Sequence, residues 1–120
     1  MAAIIDTSED NGGVHFNCGI VAHAFYLLAD GLDGAIGSLD AERIFYRSLA
    51  YHLVSNSRFI DARLTCIASA EELFGKGSAQ AVKTAAAFDA VEIVDEQATP
   101  VAPVYKPAVS GTDAALFVYY

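Results

Sequence analysis

Tryptophan is absent from this 120-residue chain, methionine occurs once and cysteine twice. Two cysteines far apart in sequence, Cys18 and Cys66, with no C-x-x-C, exclude a cysteine-built structural zinc site, which needs four ligands at tight spacing. They leave open a single disulfide or two buried thiols acting as small apolar groups. No stretch approaches the roughly 18 consecutive apolar residues of a membrane span. Met1 to Asp10 has no basic stretch ahead of an apolar one, so it does not read as a signal peptide. Basic residues are scarce, 7 against 15 acidic, for a net charge of −8. That balance repels phosphate backbones and argues against a nucleic-acid partner. It suits a secreted protein that must stay soluble. The histidines are His15, His23 and His52, no two of them four apart, so no H-E-x-x-H exists. No clustered D-x-D pattern offers a calcium site.

What is present is apolar: 54% of the residues, against 18% charged. A chain of this length and composition can bury a core without staples. Residues 1–16 read as a loop, with a polar run from Asp6 to Asn11 and the pair Gly12-Gly13, which permits positive φ. A first helix, apolar almost all round and so central in its domain, begins near Asn17, which can cap it, and ends at Gly31. Gly34 and Gly37 keep the next segment a loop. A second helix runs from about Leu39 to Leu53, with Ile44, Phe45, Ser48, Leu49 and His52 on one face and a cap at Ser38 or Asp40. A third runs from about Phe59 to Phe74, with Ala62, Cys66, Ile67, Ala70 and Leu73 in its stripe and Gly75 and Gly77 as stops. A fourth runs from near Ser78 to about Val91, with Val82, Ala85, Ala86 and Phe88 or Asp89 along one side. Four helices with short connections predict a compact all-α bundle over residues 1–94. Pro100, Pro103 and Pro107 mark 95–110 as an extended linker, and 111–120 reads as a strand beginning a further segment. Ending in mid-strand, the chain looks cut, and Met1-Ala2-Ala3 reads as the start of a piece of a longer protein.

The segment Asp10-Asn11-Gly12-Gly13-Val14-His15 carries chemistry. Its glycines let the chain fold back so that Asp10 reaches the ring of His15. Such a pair fixes the tautomer and favours the protonated ring. An imidazolium beside a helix start can stabilise a developing oxyanion. A structural hydrogen bond is the blander outcome of the same pairing.

This string, with Asn17-x-Gly19-Ile20 and Ala24-Phe25-Tyr26-Leu27 after it, resembles the D-N-G-G-V-H-x-N-S-G-I signature of the thermolysin family of zinc endopeptidases. Arg43 to Leu49 resembles that family's I-F-Y-R-A-L helix. Phe59-x-Asp61-Ala62-Arg63, then Ala70 and Leu73-Phe74-Gly75, is similar to its next helix. Val82-Lys83 and Phe88-Asp89-Ala90-Val91 are similar to its last. The resemblance covers roughly residues 8–94 in unbroken order. It implies the C-terminal helical domain of a secreted metalloendopeptidase acting on peptide or protein substrates. It implies that His15 donates a hydrogen bond to the tetrahedral oxyanion and that Asp10 orients it. It places the zinc ligands, and the glutamate that acts as general base, in an N-terminal half that is the natural partner of this chain. Calcium sites, too, belong elsewhere in such a protein. No metal ligand or cofactor-binding residue is assigned here, and the chain alone is expected to be inactive.

Three departures stand out: Cys18 for the usual serine, Ala22-His23 for Asn-Lys or Asn-Arg, and Glu92 for glycine. The changes at Cys18 and Ala22 favour the alternative, a non-catalytic helical interaction module diverged from such a peptidase, and the intact Asp10 to His15 string disfavours it. Either way, the face carrying His15 normally packs on another domain, so alone it exposes apolar surface and invites homo-oligomers. The remaining polar residues read as structural. His23 is a partly exposed or hydrogen-bonded helix residue, and His52 pairs with terminal carbonyls of its helix. Arg63 pairs with Asp61, Glu42 or Glu71. Tyr26, Tyr46 and Tyr51 are core-edge aromatics, and Glu71-Glu72 is a solvated face.

Overall fold

The computed structural model describes Ile4, residues 6–95 and Tyr105, with the backbone alone at Asp10, Gly12, His15 and Phe16. Four α-helices make up the described fold: α1 (Asp10–Tyr26), α2 (Ser38–Tyr51), α3 (Phe59–Phe74) and α4 (Ala79–Ala90). No described residue lies in a strand, and the all-α bundle is as the apolar periodicity predicts. The strand over 111–120 and nearly all of the linker lie outside the described residues. Tyr105 alone pairs back, in an isolated antiparallel bridge to Leu32.

Helix α1 starts seven residues earlier than its apolar period suggests, because the Gly13 N–H donates to the Glu9 carbonyl at 2.8 Å and closes a turn. Asn17 is therefore not a cap. It is a buried residue within α1. The helix widens into a π-turn, Leu27–Gly31, before the chain leaves at Leu32. A methyl group at Gly31 would sit 2.7 Å from Tyr26 Cε1, so a larger residue there would have to displace the Tyr26 ring. Only one face of α1 is central: Ile20 and Ala24 are buried, as are Leu27 and Leu28 of the π-turn, whereas Val14, Cys18 and Ala22 are exposed.

Neither Ser38 nor Asp40 caps α2. Gly37 takes the cap position, and Asp40 accepts instead from Gln80 of α4 at 3.3 Å. At the start of α3, Asp61 accepts from the Arg58 N–H at 2.8 Å and opposes the positive end of the helix dipole. At its end, Gly75 adopts φ of +101°, which costs a side-chain-bearing residue and stops the helix. Ser78 caps α4 by accepting from the Ala81 N–H at 3.2 Å.

Helix α3 packs on both α2 and α4, while α1 and its π-turn close over α2 and α4. Buried alanines (Ala24, Ala41, Ala70, Ala81 and Ala87) let the helices approach closely around Leu28, Ile44 and Phe88. Phe45 ties three elements together, edge-on to Phe25 of α1 at 5.2 Å and stacked on Phe88 of α4 at 6.0 Å. Two expected core positions are wrong. The buried stripe of α2 is Ala41, Ile44 and Ser48, which turns Leu49 outward. The stripe of α4 is Ala81, Thr84, Ala87 and Phe88, which turns Val82 outward. A one-residue offset is a rotation of about 100° on a helix. Tyr46 and Tyr51 are likewise exposed rather than at the core edge.

The polar contacts also differ from the spacing-based expectations. Arg63 does not pair with Asp61, Glu42 or Glu71. Its Nη1 donates to Asp89 Oδ1 at 2.6 Å, with side-chain exposures of 7% and 10%, and reaches the carbonyls of Ile93 at 3.1 Å and Ala85 at 3.3 Å. Nor does His52 bond helix-end carbonyls, because its Nε2 lies 3.0 Å from Glu72 Oε1. Arg47 donates to the other Glu72 oxygen at 2.6 Å. That guanidinium, with His52 adding to it, holds the Glu72 carboxyl below its ordinary value. So Glu72 is not merely part of a solvated face. It joins α3 to α2. Neither cysteine is in a disulfide: Cys66 is buried, and Cys18 is exposed rather than buried. Burial pushes the Cys66 thiol up from 9.0 to about 11, with neighbouring Ser48 working the other way.

Replacing Arg63 by Ala leaves the Asp89 carboxylate buried without its cation. The expected loss is about 3–5 kcal/mol, read as a lower urea midpoint at unchanged slope. The Arg63→Met, Asp89→Leu double variant removes both charges and loses less. The Cys66 thiol keeps its proton more tightly folded than unfolded. Its contribution is therefore whole below pH 9.0 and drains away as pH rises through about 11. Thermal melts should show that alkaline loss, and Cys66→Ala should flatten it.

Candidate functional site

Asp10 and His15 both lie in the first two turns of α1. Their side chains lie outside the described atoms, so what is placed is the backbone between them. That backbone is not regular helix: φ is +51° at Asn11 and +75° at Gly13. Asparagine and glycine are the residues that tolerate the left-handed region, and here one of each sits in it. The loop expected over these residues is instead the start of α1, with left-handed backbone at Asn11 and Gly13 within its first turn. Gly13 is buried, so the turn is packed against the domain.

Beside this turn an apolar groove of about 720 Å³ runs between α1 and α3. Val14, Cys18, Val21 and Ala22 form one wall, and Phe59 and Ala62 the other. The spacing of 14, 18, 21 and 22 puts that wall on one face of α1. Asn17, Ser57 and Arg58 add the polar groups. Beyond Arg58 a smaller polar depression of about 530 Å³ is lined by His52, Asn56, Asp61 and Thr65. The groove's described lining is mainly apolar. Its position could not be read from the sequence, because it depends on how the start of α3 meets α1. The apolar residues at 14, 18, 21 and 22 were the available signal.

Among the described residues no group of three or more His, Cys, Asp or Glu side chains could hold a metal ion. His23 stacks on Tyr26 with ring centroids 6.4 Å apart, and burial lowers its pKa. The described residues therefore do not fit a zinc ion. No described helix is long and apolar enough to cross a membrane.

Comparison with known proteins gives this geometry a family. A family model described as thermolysin metallopeptidase, alpha-helical domain, matches residues 1–93. The chain is 42% identical over 93 residues to a bacillolysin of Brevibacillus brevis, covering 72% of this chain and 18% of that protein. It is 39% identical over 93 residues to a thermolysin of Alicyclobacillus acidocaldarius, covering 72% of this chain and 17% of that protein. Against neutral protease B of Bacillus subtilis the identity is 37% over 94 residues, with the same coverage of 72% and 17%. The chain thus spans less than a fifth of the length of these relatives. With residues 1–93 matched by its model, the chain belongs to the thermolysin metallopeptidase family, in which it corresponds to the alpha-helical domain.

Proposed function

We propose that this chain forms one wall of the active site of a secreted thermolysin-like endopeptidase, and that His15 stabilises the oxyanion formed when water attacks a peptide carbonyl. The observation that carries the reading is the Asp10 to His15 string, set at the irregular first turn of a helix in a domain of this family. In the reading, the protonated His15 ring donates a hydrogen bond to the carbonyl oxygen as it gains charge. Asp10 accepts from the other ring nitrogen, which fixes the ring's orientation and favours its protonated state. The positive end of α1 adds to the field at that point. A donor held in place before the reaction costs no reorganisation in the transition state. Zinc and calcium belong to the preceding polypeptide, and no step is assigned to them here. The chain alone is inactive and binds zinc weakly. Its partners are that missing half and a peptide or protein substrate.

A non-catalytic interaction module is the second reading. It is favoured by the position of two departures from the family pattern: Cys18 and Ala22 both line the groove.

One hybrid protein separates the two. Residues 1–93 of this chain replace the matching segment of the Brevibacillus brevis bacillolysin. Peptidase activity is expected in the hybrid and not in the chain alone. His15→Ala should lower kcat by about a hundredfold to a thousandfold with little change in KM, and Asp10→Asn should lower it less. A folded but inactive hybrid, or one indifferent to His15→Ala, would establish the module reading instead.

A further inference from the structure

Helix α2 carries an apolar face turned away from the bundle. Leu39 is 70% exposed, Tyr46 69% and Leu49 67%, and Ala50 is exposed beside them. Successive helical residues are about 100° apart, which gathers these four into one stripe opposite the buried Ile44 and Ser48. The other side of α2 is spent on α3 and the π-turn. Apolar residues scattered singly over a surface need no partner, but a contiguous stripe of large ones marks a contact.

A second observation comes from beyond residues 1–93, which the family model matches. Tyr105 forms an antiparallel bridge with Leu32. Leu32 lies in the connection that runs on through Leu39 into α2. The polypeptide that follows the family domain is thus held, at Tyr105, on the segment that leads into the helix bearing the stripe. Further along comes the unbroken apolar run Ala114-Ala115-Leu116-Phe117-Val118-Tyr119-Tyr120.

We propose that residues 114–120 fold back on to the outward stripe of α2, with the Tyr105–Leu32 bridge as their anchor. The reach is sufficient. Extended, residues 106–115 span up to about 35 Å, whereas the 14 residues of α2 are about 21 Å long. Tethering selects this occupant over a second copy. A segment joined by a short linker is presented at a millimolar effective concentration, and two chains of net charge −8 repel each other. The proposal makes α2 the platform on which the sequence after the family domain is seated, and it does not depend on the role of His15.

The test uses the full chain. No tryptophan is present, so Tyr46→Trp puts a single indole on the stripe. In monomeric protein its emission should be that of a shielded indole. Leu116→Asp with Phe117→Asp, which spoils both sides of an extended run, should shift that emission to the red. A thermal double-mutant cycle with Tyr46 retained gives an independent reading. Leu49→Glu and the paired tail substitution should each lower the melting temperature by about 5 °C, and all three changes together by little more than either alone. The proposal is overturned if the introduced indole is exposed while the tail is intact, or if the tail substitution leaves its emission unchanged. It is equally overturned if the two melting shifts add, or if shielding appears only as the chain dimerises, which would make a second copy the occupant.

Discussion

The buried Arg63–Asp89 pair is the constraint around which the bundle is arranged. One guanidinium nitrogen reaches the Asp89 carboxylate and the carbonyls of Ala85 and Ile93. It therefore does two jobs: it neutralises a buried acid, and it ties the Ile93 carbonyl, in the segment after α4, back to the helix pair. Removing charge from water is costly, and the cost is offset only when every remaining partner is in place. That requirement fixes how far α4 slides along α3. Phe88, next to Asp89, is in turn held where it stacks on Phe45 of α2. Arg47 and His52 then tie α2 to α3 from outside through Glu72. The outer contacts are half-exposed and contribute little each, so the inner pair sets the register and the outer ones follow it.

The helices were legible in the sequence because each has local punctuation. Phe59 to Phe74 was bounded by the Ser55-Asn56-Ser57 break and by Gly75, and the helix observed has those limits. What was not legible depends on contacts between distant residues. The partner of Arg63 lies 26 positions away on another helix, and spacing within α3 points only to near neighbours such as Asp61. Leu49 and Val82 were misplaced for a related reason. Alternation of apolar residues tells that a face exists, but two adjacent apolar residues leave its centre uncertain by the rotation between them. Small buried residues such as Ala41, Ala81 and Thr84 decided the faces, and hydrophobicity gives such residues little weight.

The candidate site was legible as a string and not as a shape. Gly12-Gly13 correctly announced a departure from right-handed backbone, and Gly13 does take positive φ. The expectation of a free loop failed because a hydrogen-bonded turn and two left-handed residues can share the same few positions. The groove had no string at all. It is made by α1 and the start of α3, and only their packing brings Val14 and Phe59 to one surface.

Helix α1 links these two levels. One face of it is committed to the core through Ile20 and Ala24, and the π-turn, with Leu27 and Leu28, locks its C-terminal end against α2 and α4. Its other face presents Val14, Cys18 and Ala22 outward. Stability comes from the buried face, and the backbone from Asp10 to His15 forms the N-terminal end of the helix. A rigid core therefore holds a turn that the domain itself covers on only one side. An oxyanion donor works when it is held before the reaction begins and shielded from water. The described helices supply the holding that the proposed role of His15 requires.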